Sequence, residues 1–346
     1  MNWVLKYLFF LCIIFIFSCR KDQPQEALQP INNAVSNTGV YIINEGNYQF
    51  GNSKISYYDI GNATITEDLY QPANNVPLGD VCQSMCIFNN IAYIVVNNSG
   101  KIMAVNPLTF KTTASITGFV SPRYFLPISN NKAYVTDLIS NSISIVNLIN
   151  NTISGSISCP GWTEELILAY GKAYVTNKEN DKVYVINTAT DIIEDSIQVG
   201  YGSNSIREDL NGKLWVLCSG SEIKNLYASL HCINPISNQV EKSFQFPSLT
   251  DNPWKLNINT TNNILYFLNK GVFQMEINLN NLPENAFIAE GTKQFYGIGI
   301  EPMSDILYVS DAIDYVQKGK IYRYNKNGTL INSFLAGIIP GDFYFK

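Results

Sequence analysis

Ala133-Tyr134-Val135-Thr136-Asp137 is followed forty residues later by Ala173-Tyr174-Val175-Thr176-Asn177, and this near-identity is the key to the chain. Looser copies occur as Val40-Tyr41-Ile42-Ile43-Asn44, Ala92-Tyr93-Ile94-Val95-Val96, Leu214-Trp215-Val216-Leu217, Leu265-Tyr266-Phe267-Leu268-Asn269 and Leu307-Tyr308-Val309-Ser310-Asp311. Successive aromatic anchors lie 52, 41, 40, 41, 51 and 42 residues apart. An aromatic residue among aliphatics reads as a buried strand, and a repeat of this length accommodates four short strands. The implied fold is all-β: a seven-bladed β-propeller of four-stranded blades.

The remainder of each repeat supports that reading. About ten residues after most anchors runs an alternating strand ending in Asn or Asp, such as Ile143-Ser144-Ile145-Val146-Asn147 or Val183-Tyr184-Val185-Ile186-Asn187. A terminal Asx suits a turn, because its side chain accepts hydrogen bonds from the backbone just ahead. More polar strands follow, including 153–157, 193–197 and 330–334, as expected of blade edges that face water. Inner strands are expected before the anchors at 81–88, 123–128, 165–169, 205–210, 254–258 and 295–300. Nothing comparable precedes Tyr41, so the missing inner strand is assigned to the C-terminal Gly341-Asp342-Phe343-Tyr344-Phe345, which would close the ring.

A different kind of sequence precedes the repeats. Lys6 is followed by an apolar run over residues 7–17 and then Ser18-Cys19, the charge, short hydrophobic stretch and small residue of a secretory signal. The run is too short to span a bilayer. Ile16-Phe17-Ser18-Cys19 resembles a bacterial lipobox, which makes Cys19 the expected lipidation site, although Phe17 departs from the usual pattern. Residues 1–18 are therefore expected to be a lipoprotein signal peptide, 19–37 a lipidated Cys and flexible tether, and 38–346 the propeller. The anchor implies an outer-membrane location, and Arg20-Lys21-Asp22 resembles export signals that carry lipoproteins to the cell surface, with the periplasmic face as the alternative. Membrane contact is expected through the lipid only.

Composition narrows the chemistry. The net charge is −5, so no basic stripe recommends nucleic acid. With one histidine, His231, in an alternating strand, a His-rich metal centre cannot be assembled and no metal or cofactor is expected. No nucleophile-elbow sequence accompanies it. Glu164, Glu165 and Asp80 could join a carboxylate site, but isolated acids at blade junctions more often form turns or face solvent. Of seven cysteines, Cys12 lies in the signal and Cys19 at the lipobox. The odd remainder of Cys82, Cys86, Cys159, Cys218 and Cys232 cannot pair completely. Cys218 and Cys232 sit on neighbouring strands with an expected offset of about two residues, while Cys82 and Cys86 are expected on one strand face as small core residues.

Binding chemistry is better supplied than catalytic chemistry. The loops at one face of the ring would gather Tyr48, Gln49, Phe50, Arg123, Tyr124, Trp162, Asn204, Tyr227, Trp254, Tyr296, Tyr315 and Phe343. Aromatic rings offer large contact areas with few rotamers, and Arg and Asn fix orientation by hydrogen bonds. Nine of these, Tyr48, Phe50, Arg123, Trp162, Tyr227, Trp254, Tyr296, Tyr315 and Phe343, form the expected ligand-binding set.

The Ala-Tyr-Val-Thr phrases, each with its Ile-Val-Asn or Val-Ile-Asn strand, resemble the YVTN/YncE-like propeller family over roughly residues 38–346. Asn44-Glu45-Gly46-Asn47 followed by Ser53-Lys54-Ile55-Ser56-Tyr57-Tyr58-Asp59 looks like the first blade of Bacteroidota surface lipoproteins of that family. Some lipid-anchored relatives capture corrinoids such as cobalamin and pass them to an outer-membrane transporter, so the resemblance implies a corrinoid as one candidate ligand. The leading expectation is a noncatalytic surface protein that captures a small molecule, or docks a protein or glycan. A propeller enzyme of lyase or lactonase type, and a structural or adhesive component, are the alternatives. An enzyme would need a carboxylate cluster with a bound cation, and an adhesive component a large exposed apolar patch without a discrete pocket.

Overall fold

The structure, a computed structural model, describes residues 38–346. The signal peptide, Cys19 and the tether lie outside the described residues. Twenty-eight strands form seven antiparallel four-stranded sheets. From the innermost strand outward, blade 2 consists of Cys82–Phe88, Ile91–Val96, Lys101–Val105 and Thr112–Thr117; blade 3 of Pro122–Ser129, Lys132–Asp137, Ser142–Asn147 and Thr152–Ser158; and blade 4 of Thr163–Ala169, Lys172–Asn177, Lys182–Asn187 and Ile192–Gln198. Blade 5 contains Ser203–Glu208, Leu214–Cys218, Ser229–Asn234 and Gln239–Gln245; blade 6 contains Trp254–Ile258, Ile264–Leu268, Gly271–Glu276 and Ile288–Ala289; and blade 7 contains Phe295–Ile300, Leu307–Asp311, Lys318–Tyr324 and Leu330–Ile338.

Blade 1 joins the two ends of the described chain. Pro340–Phe345 pairs with Gly39–Asn44, which pairs with Lys54–Asp59 and then Thr64–Thr66. The first strand of each blade packs against the first strands of both neighbouring blades, and this series of contacts closes on itself around the axis. The C-terminal strand thus supplies the innermost strand of blade 1 and closes the ring as the repeat pattern requires.

The core lies between blades. Seven clusters of buried side chains each draw on two adjacent blades. Tyr41, Tyr57, Met85 and Ile94 join blades 1 and 2, for example, and Val40, Ile42, Tyr58, Tyr308 and Ile321 join blades 7 and 1. Several anchors also latch to the next blade through a hydroxyl that burial would otherwise leave unpaired. Tyr41 donates to Pro107 O at 2.8 Å and Tyr174 to Pro235 O at 2.8 Å, while Tyr134 reaches Asp191. The expected Asx turns are present: Asn106, Asn147, Asn187, Asn234 and Asn325 each accept backbone N–H groups two or more residues on through Oδ1. Blade 6 departs from the pattern, since its third strand ends at Glu276, two residues before the expected Asn278.

Every innermost strand is bulged near the start of its pairing with the second strand. The extra residue breaks simple alternation and re-aims nearby side chains. It also corrects the reading of Cys82 and Cys86 as sharing a face. The bulge between Cys82 and Ser84 leaves Cys82 in the cluster of blades 1 and 2, while Cys86 packs against the cluster of blades 2 and 3. All five described cysteines are free. Cys218 pairs across from Ser229 and Cys232 from Trp215, a three-residue offset rather than the two expected.

Candidate functional site at the channel mouth

The bulges of blades 2 to 7 deliver polar or aromatic side chains to one end of the central channel. Gln83, Arg123 with Tyr124, Glu164 with Glu165, Asn204, Trp254 with Lys255, and Tyr296 line a cavity of about 290 Å³, together with Glu45, Lys178, Ser219, Asn252 and Tyr315. Blade 1 contributes differently. Its bulge falls at Gly341, where a Cβ would lie 2.5 Å from Glu45 Oε1, so glycine there leaves room for Glu45 to enter from the loop above.

Hydrogen bonds tie this mouth together blade by blade. Arg123 holds Gln83 of blade 2 through Nη1 and grips Glu164 of blade 4 with Nε at 2.8 Å and Nη2 at 2.6 Å. Glu165 receives Arg207 Nη1 and Ile206 N from blade 5. Asn204 donates to Pro253 O at 3.0 Å, Trp254 Nε1 to Tyr296 O at 3.1 Å, and the Tyr296 hydroxyl to Glu45 Oε2 at 3.0 Å. Cys82 N donates to Glu45 O at 3.2 Å, returning the circuit to blade 2. A cavity built in this way is preformed.

Its electrostatics are mixed. Burial pushes the Glu164 carboxyl toward protonation, but Arg123, through charge and hydrogen bonds, outweighs it and holds the group below the usual carboxylate range. Glu45 goes the other way: burial raises it, and Lys255, Arg123 and the Tyr296 hydroxyl only partly offset this. Burial lowers Lys178, and repulsion from Arg123 and Lys255 adds to that against the attraction of Glu164. Burial also opposes the Lys255 charge, but Asp342, Glu45 and Glu165 outweigh it and raise that group.

The residues expected to bind ligand are not all placed together. Arg123, Tyr124, Asn204, Trp254, Tyr296 and Tyr315 line the cavity. Tyr296 and Tyr315 meet edge to face at 5.8 Å. Trp162 stands at its edge, donating from Nε1 to Glu164, with the Lys178 ammonium 4.2 Å and the Arg123 guanidinium 5.4 Å from its ring centroid. Tyr48, Phe50 and Tyr227 are exposed on loops and do not line the cavity, nor does Gln49, whose N–H bonds Asp80. Phe343 does not reach the mouth. It lines an adjoining cavity with Arg207, Asn257 and Asp342, and packs into the cluster joining blades 7 and 1.

Glu164 and Glu165 are correspondingly neither solvated nor turn-forming, since both are buried and paired with arginines. Asp80 holds a turn by accepting from Gln49 N and Asn98 Nδ2. Among the described residues no group of three His, Cys, Asp or Glu side chains could hold a metal ion. His231 is buried within blade 5; its Nε2 accepts Gly200 N–H at 2.9 Å, and burial lowers its pKa to about 4.

Two larger grooves lie elsewhere, but their lysines are already bonded. In the groove of about 490 Å³ beside Lys132, that ammonium bonds Asp191 and Thr188 O. In the groove of about 440 Å³ beside Lys213, that lysine bonds Glu241. The central mouth differs from both. Lys178 and Lys255 are in no ion pair and donate no side-chain hydrogen bond among the described residues.

These features define a seven-bladed propeller with a preformed, polar, aromatic-walled mouth. Over residues 38–344 the chain matches the family model described as a domain of unknown function, DUF5074, and it belongs to that family. No curated protein matches it. Among solved structures it is similar to a quinonprotein alcohol dehydrogenase-like protein from Bacteroides thetaiotaomicron, with a TM-score of 0.71 and 16% identity over 91% of this chain and 79% of that one. A Bacteroides uniformis protein described as a 6-phosphogluconolactonase gives a TM-score of 0.65 at 12% identity, over 90% and 100% of the two chains. Hydrazine synthase of Kuenenia stuttgartiensis gives 0.59 at 14%, over 74% and 89%. At these identities the likeness extends to fold alone.

Proposed function

We propose that this chain is a lipid-anchored, noncatalytic binding protein of the outer membrane, exposed at the cell surface, that captures a small molecule in the channel mouth. The observation that carries the reading is the bulge-built cavity, where side chains converge on a space of about 290 Å³ and hydrogen bonds hold Gln83, Arg123, Glu164, Asn204, Trp254, Tyr296 and Glu45 in place before any ligand arrives. That volume is at the lower end for small-molecule sites. A rigid mouth limits the entropy lost on binding, so modest contacts suffice for affinity. A corrinoid is larger than this cavity and would rest on its rim, against the exposed Tyr48, Phe50 and Tyr227, before transfer to an outer-membrane transporter. The discrete cavity favours capture over a purely structural or adhesive role.

Calorimetric titration of the purified protein with cobalamin, cobinamide and a panel of monosaccharides tests the binding reading. Trp254→Ala removes a cavity wall and should weaken any ligand found by about tenfold or more, with a melting temperature close to that of the parent. A ligand bound equally well by Trp254→Ala would place the site elsewhere. Anchoring has its own test. Cys19→Ala should abolish incorporation of labelled palmitate and release the protein from the membrane fraction; continued labelling would overturn the anchor.

A further inference from the structure

Lys178 and Lys255 stand out because neither ammonium forms an ion pair or donates a side-chain hydrogen bond among the described residues. Arg123 and Arg207 are committed to Glu164 and Glu165, and every lysine lining the two larger grooves is bonded to a carboxylate or a carbonyl. Lys178 lies beside the Trp162 ring, and both ammonium groups line one cavity closely enough for their charges to repel. An anion placed between them would offset the repulsion that Lys178 feels from Lys255.

Lys255 occupies the bulge of blade 6 with φ of 57°, the left-handed region that glycine enters freely and other residues enter at a cost of about 1 kcal/mol. Glycine at this position would relieve that cost, so the side chain can be removed without straining the backbone. Around the pair are flat walls, Trp254 and Tyr296, and unspent hydrogen-bonding capacity. Glu45 Oε1 accepts no side-chain hydrogen bond among the described residues, and the Asn252 side chain also lines the cavity. Carboxylates also act on Lys255, namely Asp342, Glu45 and Glu165, yet none forms an ion pair with it. The site therefore offers cations for an acid, acceptors for hydroxyls and aromatic faces for a ring.

Building on the binding reading above, we propose that the ligand is an acidic sugar, a hexuronate or similar carboxylated monosaccharide unit, whose carboxylate seats between Lys178 and Lys255. Its ring lies against Trp254 and Tyr296 while hydroxyls donate to Glu45. The unit can be a free monosaccharide or the terminus of a glycan.

The test is a titration of the full-length protein with glucuronate, galacturonate, a trigalacturonate and neutral glucose, followed by calorimetry and ligand-observed NMR. At least one acidic sugar should bind and glucose should bind at least tenfold more weakly. Preference for the trisaccharide over the monosaccharide would assign the glycan terminus, and the reverse a free sugar. Lys255→Gly should weaken acidic-sugar binding by at least tenfold while the melting temperature stays level or rises, which a structural lysine would not allow. Lys178→Gln provides the second readout and should also lose affinity. Equal binding of glucose, retention of affinity by both variants, or no binding of any acidic sugar at millimolar concentration overturns the proposal. Cobalamin or cobinamide binding that depends on Trp254 would, in that event, leave the mouth as a binding site for a different ligand.

Discussion

A chain ending at residue 340 shows no cooperative unfolding transition. Residues 341–346 supply most of the inner strand of blade 1, and with it the hydrogen-bonding partner of Gly39–Asn44. They also carry Phe343 and Phe345 into the cluster that joins blades 7 and 1, and Tyr344 into the cluster that joins blades 1 and 2. Three partly buried aromatic side chains at about 2 kcal/mol each come to about 6 kcal/mol. That is comparable with the whole stability of a typical domain, about 5–15 kcal/mol. The loss would also leave the inner edge of Gly39–Asn44 unpaired and uncover the faces of the neighbouring blades, so the truncated chain is expected to aggregate. Thermal denaturation followed by circular dichroism checks this, and a melting temperature within a few degrees of the parent would disprove closure by the C-terminal strand.

Arg123→Ala has the next largest effect. Its side chain is 14% exposed and its partner Glu164 is 7% exposed, so truncation strands a carboxylate that solvent barely reaches. Removing one partner of such a pair costs about 3 kcal/mol or more. The pH dependence gives the mechanism a separate signature. In the parent, Glu164 titrates below its usual value of 4.5, so its contribution is fully present above that pH and is lost as pH falls through the lowered value. In the variant, burial acts without Arg123 and raises the group, so acid should relieve the stranded charge. The stability gap between the two proteins therefore begins to narrow above pH 4.5, as the raised carboxyl of the variant takes up its proton, and goes on closing as pH falls toward the lowered value in the parent. Urea titrations at pH 7 and pH 4 test this, and a gap under about 1 kcal/mol at pH 7 would show that the pair is dispensable.

The fold was legible because its signal is repeated. Seven aromatic phrases and their trailing Asx turns set the blade count, and the absence of an inner strand before Tyr41 located the closing strand. The mouth was only partly legible. Trp254, Tyr296, Tyr315 and Arg123 were reachable by asking which loops and inner strands carry aromatic or charged residues. Gln83 and Lys255 were missed, and Glu164 and Glu165 misjudged, because period-two alternation does not anticipate a bulge, while Glu45 and Lys178 were missed because each lies just past the end of a second strand, where the repeat carries no pattern. Phe343 was misplaced for the same reason: its position relative to the bulge directs it into an adjoining cavity. A signal was present nonetheless. Gln83, Arg123, Glu164, Asn204, Lys255 and Tyr296 lie 10 to 12 residues before the anchor of their own repeat, and aligning the repeats on that interval brings them into one column.

The bulges also separate two kinds of evolutionary constraint. The apolar side chains that pack neighbouring blades together belong to the seven clusters, whereas Gln83, Arg123, Glu164, Asn204 and Lys255 are absent from all of them. A substitution in that column changes the lining of the mouth and its hydrogen bonds while the apolar packing between blades stays as it was. If the mouth binds as proposed, members of the family would diverge in ligand while their anchors remain recognisable, and this short column would sort them by ligand better than overall identity does.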